Sequence, residues 1–491
     1  RTPELDSFKA QITEKQKQKV NRKNLVSSLS NQYAGLDTSS LVKHNIQLLA
    51  DENTFTVATG HQLCLFTGPL YFIYKIISTL NLAESLKKNY PEFNFIPIYW
   101  MASEDNDFDE VNHVHLFGKK LTWNQNQKGG VGAIPTNTLT PLLEELKVVL
   151  GNSEEATTLY TLLSNTYLNN NDLASATRSL VNNLFSKYGL VILDSNTASL
   201  KREAISLIKT DVLKQENYPL IEQTNKQLPK AQAYVRPINF FYQLKGTRNR
   251  IEFIGQNYVI VNTALTFTKA ALEIEIENYP ERFSPNVLLR PLYKELILPN
   301  LAMIGGGAEV SYWMQLKSTF LANKIVFPIL FLRNSALIID AKTASKLNNL
   351  GISSQNLFEQ EHALHKLYVS KNTERKISVS DELLQTEKLF TKLIANTEDK
   401  SLQKSILSDK HKQINILKKI EQKLIKSEKQ KHQVKLAQIS QIKNKLFPSN
   451  TLQERYDNII PFYLQYGTAF IDSLKSELQP FNSNFTVITK E

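Results

Sequence analysis

Between Phe55 and Leu82 the chain changes its hydrophobic period, and that change constrains the fold more than any other feature of the sequence. Phe55 to Ala58 is a short apolar run with a β-branched residue, closed by Gly60. From Pro69 onward Leu70, Ile73, Ile76, Ile77, Leu80 and Leu82 recur at helical spacing. The spacing predicts a strand, a glycine loop and a helix, with Pro69 suited to the first turn because its missing N–H would have been unpaired there anyway. Such a helix start presents free N–H groups and a positive dipole end. Gly60 and Gly68 would let a phosphate approach that backbone, and Lys75, further along, would add a point charge. The pattern is neither the Walker A motif nor G-x-G-x-x-G, so a strand-turn-helix without a ligand is the competing reading.

Similar apolar runs follow at Phe95–Trp100, Leu190–Leu193 and Ile325–Leu332, with helical segments between several of them. This alternation predicts an α/β fold: a doubly wound, mostly parallel sheet with helices on both faces and ligands at the carboxyl ends of the strands. A length of 491 residues with 42% hydrophobic content allows two or three structural units. The single cysteine, Cys64, excludes an intrachain disulfide framework and suits a reducing compartment; between Leu63 and Leu65 it reads as a small packing residue. No apolar run approaches the roughly 18 residues of a membrane span, so a cytoplasmic protein without a membrane partner is expected.

The net charge of +11 is localised. Twelve lysines between Ser401 and Pro448 face only Asp409, Glu421 and Glu428, so this stretch carries +9 and the remainder is nearly neutral. It has no glycine, and no proline before Pro448. Its apolar residues fall mostly at spacings of three and four, lapsing between Ser427 and Gln433, and leucines at 357, 364, 367, 383, 384, 389 and 393 supply partner helices. A coiled-coil arm follows, antiparallel within the chain or pairing two chains. No aromatic side chains interleave with the lysines, so they read as a solvated face and not as a nucleic-acid site.

Two further clusters sit where strands should end. After Trp100 come Glu104, Asp105, Asp107, Asp109 and Glu110, then His113 and His115. Five carboxylates so close repel one another unless a cation, a cationic ligand or hydrogen-bond donors offset them. A Mg²⁺ ion carried by a nucleotide would do so, whereas the spacing of His113 and His115 does not suggest a protein-bound zinc site. The second cluster is Gly305-Gly306-Gly307, followed by Glu309, Tyr312 and Trp313. Three glycines in a row require positive φ or close approach by another group, as in a loop over a substrate. Arg333, directly after a strand, is placed to pair with a phosphate or carboxylate.

Thr59-Gly60-His61-Gln62 with Thr67-Gly68-Pro69-Leu70-Tyr71 and Lys75, Trp100 to Phe108 with Val111-Asn112-His113, and Leu289-Arg290-Pro291 with Gly305-Gly306-Gly307-Ala308-Glu309 together resemble the bacillithiol-biosynthesis cysteine-adding enzyme family, in that family's order and over nearly the whole chain to Leu452-Gln453-Glu454-Arg455. The resemblance implies a Rossmann-like core related to nucleotidyltransferases and class I aminoacyl-tRNA synthetases, with inserted connective segments and a coiled-coil arm that promotes homodimerisation. It also implies a ligase joining cysteine to glucosaminyl-malate. Amide formation in water needs an activated carboxyl, so ATP, with ADP or AMP as product and possible Mg²⁺ accompaniment, is the expected cofactor.

On this reading Thr59, Gly60, Gln62, Gly68, Lys75, Gly305, Gly306 and Gly307 bind nucleotide, and His61, Glu104, Asp105, Asp107 and His113 are catalytic. Glu309, Tyr312 and Arg333 orient substrate, and no resident metal is assigned. Gly60-His61-Gln62 departs from the two-histidine signature of the synthetases, and no lysine-serine second signature is present. The expected domains are a core over 1–340 with insertions near 120–185 and 200–285, an arm over 341–448, and a segment over 449–491 returning to the core. Two other functions fit the same residues: a non-catalytic nucleotide-binding assembly factor gripping a partner with its arm, and a metal-dependent hydrolase built on the acidic and histidine cluster.

Overall fold

The computed structural model describes residues 1–126, 128–373 and 378–490. Five parallel strands form the central sheet: β1 (Thr54–His61), β2 (Asn94–Met101), β3 (Val191–Asp194), β4 (Asn300–Gly305) and β5 (Ile329–Leu332). Their order in space is β5-β4-β1-β2-β3. Read from the other edge this is 3-2-1-4-5, the doubly wound order in which chain direction across the sheet reverses between β1 and β4. At that reversal Thr59 of β1 pairs with Ile304 of β4, and Tyr99 of β2 flanks Thr59 on its other side. A crevice opens just beyond, at the carboxyl ends.

The strands are apolar almost throughout because the sheet is covered on both faces. Helix α1 (Tyr71–Asn89) carries the chain from β1 back to β2, burying Leu82 and Leu86 against Phe55, Val57, Ile304 and Phe331, with Phe8 and Ile12 from the first helix of the chain completing this layer. Helix α2 (Arg290–Ile297) precedes β4, and α3 (Gly307–Met314) follows it directly. The last strand is shorter than its apolar run. Its ladder begins only at Ile329, because the Val326 N–H donates to Gln18 and the Phe327 carbonyl accepts from Gln11. Side chains satisfy that backbone in place of a neighbouring strand.

The connective segments have their own structure. The first is helical over Thr140–Leu150, Glu154–Leu168 and Leu173–Phe185. The second contains an antiparallel sheet of Phe283–Pro285, Phe240–Leu244, Thr247–Ile254, Asn257–Ile260 and Thr266–Phe267, in that spatial order.

The chain divides into two compact units: residues 1–335 with 454–486, and residues 336–453 with 487–491. In the second unit α4 (Ser380–Ala395) and α5 (Lys400–Lys431) run antiparallel. Gln403 near the start of α5 donates to the carbonyls of Ile394 and Thr397, while the Val379 N–H beside the start of α4 reaches Glu421. His432 separates α5 from α6 (Gln433–Leu446), within the stretch where the apolar stripe lapses. Among the described residues no helix is long and apolar enough to cross a membrane.

Candidate active site

The crevice at the strand reversal is a cavity of about 310 Å³. Gly60, His61 and Gln62 enter it from the end of β1, and Gly306, Gly307 and Ala308 from the start of α3. None of the three consecutive glycines has positive φ. Gly305 is required by close approach, since a Cβ there would lie 3.0 Å from Glu309 Cβ, whereas a Cβ on Gly307 would meet nothing within 4 Å. Gly306, Gly307 and Ala308, at the start of α3, line the cavity. One donor at this helix start is already used: Gly306 N–H donates to Glu309 Oε2 at 2.8 Å. The same oxygen lies 2.7 Å from Lys75 Nζ, which also donates to the Gly60 carbonyl at 2.9 Å, so Lys75 ties the ends of β1 and β4 together at the cavity wall.

Of the two glycine loops expected to bind phosphate, the one at the start of α3 lines the cavity, and Gly68 at the start of α1 does not. At the start of α1 the Leu70 N–H donates to the Asp457 carbonyl, and Asn458 donates to the carbonyls of Phe66 and Gly68. Gly68 lies outside the cavity, and its φ of +64° together with a would-be Cβ 2.6 Å from that of Cys64 explains the glycine as a turn. Thr59 is fully buried within the sheet, donating to the Ile304 carbonyl, and does not reach the cavity. Gly305 ends β4 just beneath it.

The wall is predominantly cationic. Arg290 and Lys294 project from one face of α2, and Arg333 and Arg455 add two guanidinium groups, with Arg333 paired to Glu454 at 2.6 Å and donating to the Asn334 carbonyl. His61 is stacked on Phe72. Burial, then the neighbouring charges of Lys75, Arg333 and Arg290, push its pKa well below the usual imidazole range, so it is neutral. Gln62 Oε1 and Arg333 Nε are buried without a hydrogen-bond partner among the described residues. Unpaired polar atoms on a cavity wall are what a polar ligand would satisfy. Tyr312 also lines the wall, with its hydroxyl beside Arg290.

A second chamber, of about 490 Å³, adjoins the first, and Trp100, Ala102 and Arg290 line both. Here the acidic cluster is neutralised by the protein itself. Glu104 pairs with the fully buried Lys201, whose ammonium also donates to the Phe283 carbonyl and lies over the Tyr293 ring. Asp105 accepts from Gln62 Nε2 at 2.8 Å and lies 3.8 Å from Arg290. Burial works to raise the Asp105 pKa, but Arg290, Arg248 and the Gln62 hydrogen bond together outweigh it and hold the group below the usual carboxylate range. Arg248 is fixed by Ser284, Asn106 and the Pro285 carbonyl over the Phe241 ring.

Asp107 borders this chamber but serves as a helix cap, accepting from the Glu110 N–H. His113 stands apart from both chambers. It lies with His115 and Cys64 in a smaller concavity, where burial and Lys120 lower its pKa. Among the described residues no three His, Cys, Asp or Glu side chains converge to hold a metal ion. Lys201, Arg290, Lys294 and Arg455 were not singled out as site residues in the sequence. Arg290 and Arg455 stood within the stretches that carry the family resemblance, and Arg290 and Lys294, four residues apart at an Arg-Pro helix start, gave a further signal: two cations on one face of a helix leading into a core strand.

Residues 1–334 match the family model described as "Bacillithiol biosynthesis BshC, N-terminal Rossmann-like domain", and residues 336–490 match "Bacillithiol biosynthesis BshC, C-terminal coiled-coil domain". The chain belongs to the BshC family. Family relatives from Flavobacterium psychrophilum and Cytophaga hutchinsonii are 43% and 36% identical to it, over 99% and 100% of this chain and 93% of their own lengths. One from Bacillus anthracis is 26% identical over 98% of this chain and 93% of its own length. All three BshC relatives carry the name "Putative cysteine ligase BshC". The Rossmann-like parallel sheet and the long helical arm expected from sequence are thus the family's architecture, and the ligase class is the one its members are named for.

Proposed function

We propose that the protein is an ATP-dependent ligase that joins the carboxyl of cysteine to the amine of glucosaminyl-malate, the last step of bacillithiol synthesis, in the cytoplasm. The observation that carries this reading is the pair of chambers meeting at Arg290, at the carboxyl ends of β1, β2 and β4. Amide formation must bring an activated carboxyl and an amine together, and two adjoining chambers of unlike chemistry are a place to do so.

The first chamber suits the nucleotide and the cysteine carboxyl. Its anion-binding groups are the N–H groups of Gly307 and Ala308, with Arg333 and Arg455 on the wall. ATP would supply carboxyl activation, by adenylyl or phosphoryl transfer, and any Mg²⁺ would arrive with its phosphates. Neutral His61 is suited to accept a hydrogen bond from the amine. Gly60 and Gln62 shape the floor, and Glu309 holds Lys75 and the start of α3 in place. Glu104, paired with Lys201, and Asp105, held below the usual carboxylate range by Arg290 and Arg248, suit the sugar amine in the second chamber.

Leu389, Leu393, Leu402 and Ile416 on the arm are each about half exposed, which supports homodimerisation through that face. Light scattering of the intact protein would read two chains, and one chain would oppose it.

The test of the reaction is direct. Protein incubated with ATP, Mg²⁺, cysteine and glucosaminyl-malate should yield bacillithiol, with AMP or ADP identifying the mode of activation. Absence of product from protein that binds ATP normally would refute the ligase reading.

A further inference from the structure

Lys294 is 97% buried on the wall of the first chamber, yet its surroundings do not match an ammonium group. Among the described residues its one hydrogen bond is to the thioether of Met303, at 2.8 Å. Glu295 Oε1 is 3.8 Å away, and that carboxylate already accepts from Asn300 and Lys15. The remaining neighbour is the face of the Trp313 ring, 4.5 Å from Nζ. A thioether is a weak acceptor, and an ammonium with three donors held this way is short of partners. Lys75, on the same cavity, is by contrast matched by a carboxylate and a carbonyl.

We propose that Lys294 is a ligand-contacting cation of the first chamber, completing its coordination with an oxyanion, either a carboxylate or a phosphate oxygen, brought by a substrate. The inference rests on the ligase reading only for the identity of that substrate. Arg290, one turn before it on α2, places a second cation on the same wall. The Lys294 pKa is lowered to about 8, mainly by burial, with Arg290 and Lys15 also lowering it and Glu295 and Glu309 offsetting part of the shift. An arriving oxyanion adds the missing negative charge and favours the protonated amine, so the site takes up a proton as it fills.

The experiment is calorimetric titration of the intact protein at pH 8 with L-malate, L-cysteine and pyrophosphate separately, each in two buffers of different ionisation heat. At least one anion is expected to bind with net uptake of protons, because burial brings the Lys294 pKa down toward the pH of the assay. Lys294→Met should weaken that anion at least tenfold and abolish the uptake. Lys294→Arg should bind without uptake, since guanidinium is charged throughout. Whichever probe responds identifies the source of the oxyanion. Anion binding within twofold of wild type in folded Lys294→Met, or no proton uptake with any of the three in the wild-type protein, would overturn the proposal. Inactivity with all these binding results intact would instead indict the ligase reading.

Discussion

Replacing Gly307 with alanine separates ligand binding from folding. Gly307 is the first residue of α3, its φ is not positive, and an added Cβ meets no heavy atom within 4 Å. Alanine in a compatible conformation lowers unfolded-state entropy, so stability should be unchanged or higher by about 0.4–1 kcal/mol. A phosphate seated on the first-turn N–H groups would be displaced by the methyl. Loss of one charge-assisted hydrogen bond, about 1.5–3 kcal/mol, corresponds to a Kd for ATP raised roughly 10- to 150-fold. Gly305→Ala is the control, because its Cβ would lie 3.0 Å from Glu309 Cβ and 3.2 Å from Oε2, straining the fold itself. Titration calorimetry with ATP and thermal unfolding read the two effects apart. If Gly307→Ala bound ATP as wild type does, the phosphates would not lie on α3 and the reasoning would fail.

Other outcomes follow from the buried charges. Lys201→Met leaves the buried carboxylate Glu104 without its partner and should cost about 3–5 kcal/mol in urea unfolding, with most of the loss recovered when Glu104→Gln is added; independent, additive costs would refute the pairing. Burial raises the fully buried Asp211 to a pKa of about 6, above its unfolded value near 4, so the native state binds that proton more tightly. The stability it contributes, at most about 3 kcal/mol, is full below pH 4 and lost as pH rises through 6; Asp211→Asn should flatten the curve in that window, measured by urea midpoints. Cys64 is buried and its thiol is pushed up to about 12 by burial and by Glu110, so native protein should resist alkylation, and Cys64→Ala should retain ligase activity within about twofold in a product assay.

The sheet was legible because period is local. Phe55–Ala58 followed by a helical stripe declares a strand, a turn and a helix within about thirty residues, whereas at Gly305–Gly307 only the loop and the following helix were read and the strand Asn300–Gly305 was not. Which glycine loop lines the cavity beside β1 and β4 was not legible, because distant residues shape the start of α1: the Leu70 N–H is taken by Asp457, and Asn458 binds the Phe66 and Gly68 carbonyls. The acidic cluster posed its own question, and its answer was equally remote, with Lys201, Arg248 and Arg290 arriving from three separate segments to neutralise Glu104 and Asp105. Charge density along the sequence shows that compensation is needed, but not who supplies it. Lys294 escaped notice because only packing reveals that its partner is a sulfur atom.

The central claim is that the crevice between β1 and β4 holds the nucleotide that activates cysteine. A crystal structure of the protein with a non-hydrolysable ATP analogue tests it most directly. Phosphate density is expected within hydrogen-bonding distance of the Gly307 and Ala308 N–H groups, with Arg333 or Arg455 turned toward it. Phosphates bound elsewhere, with this crevice holding only solvent, would contradict it.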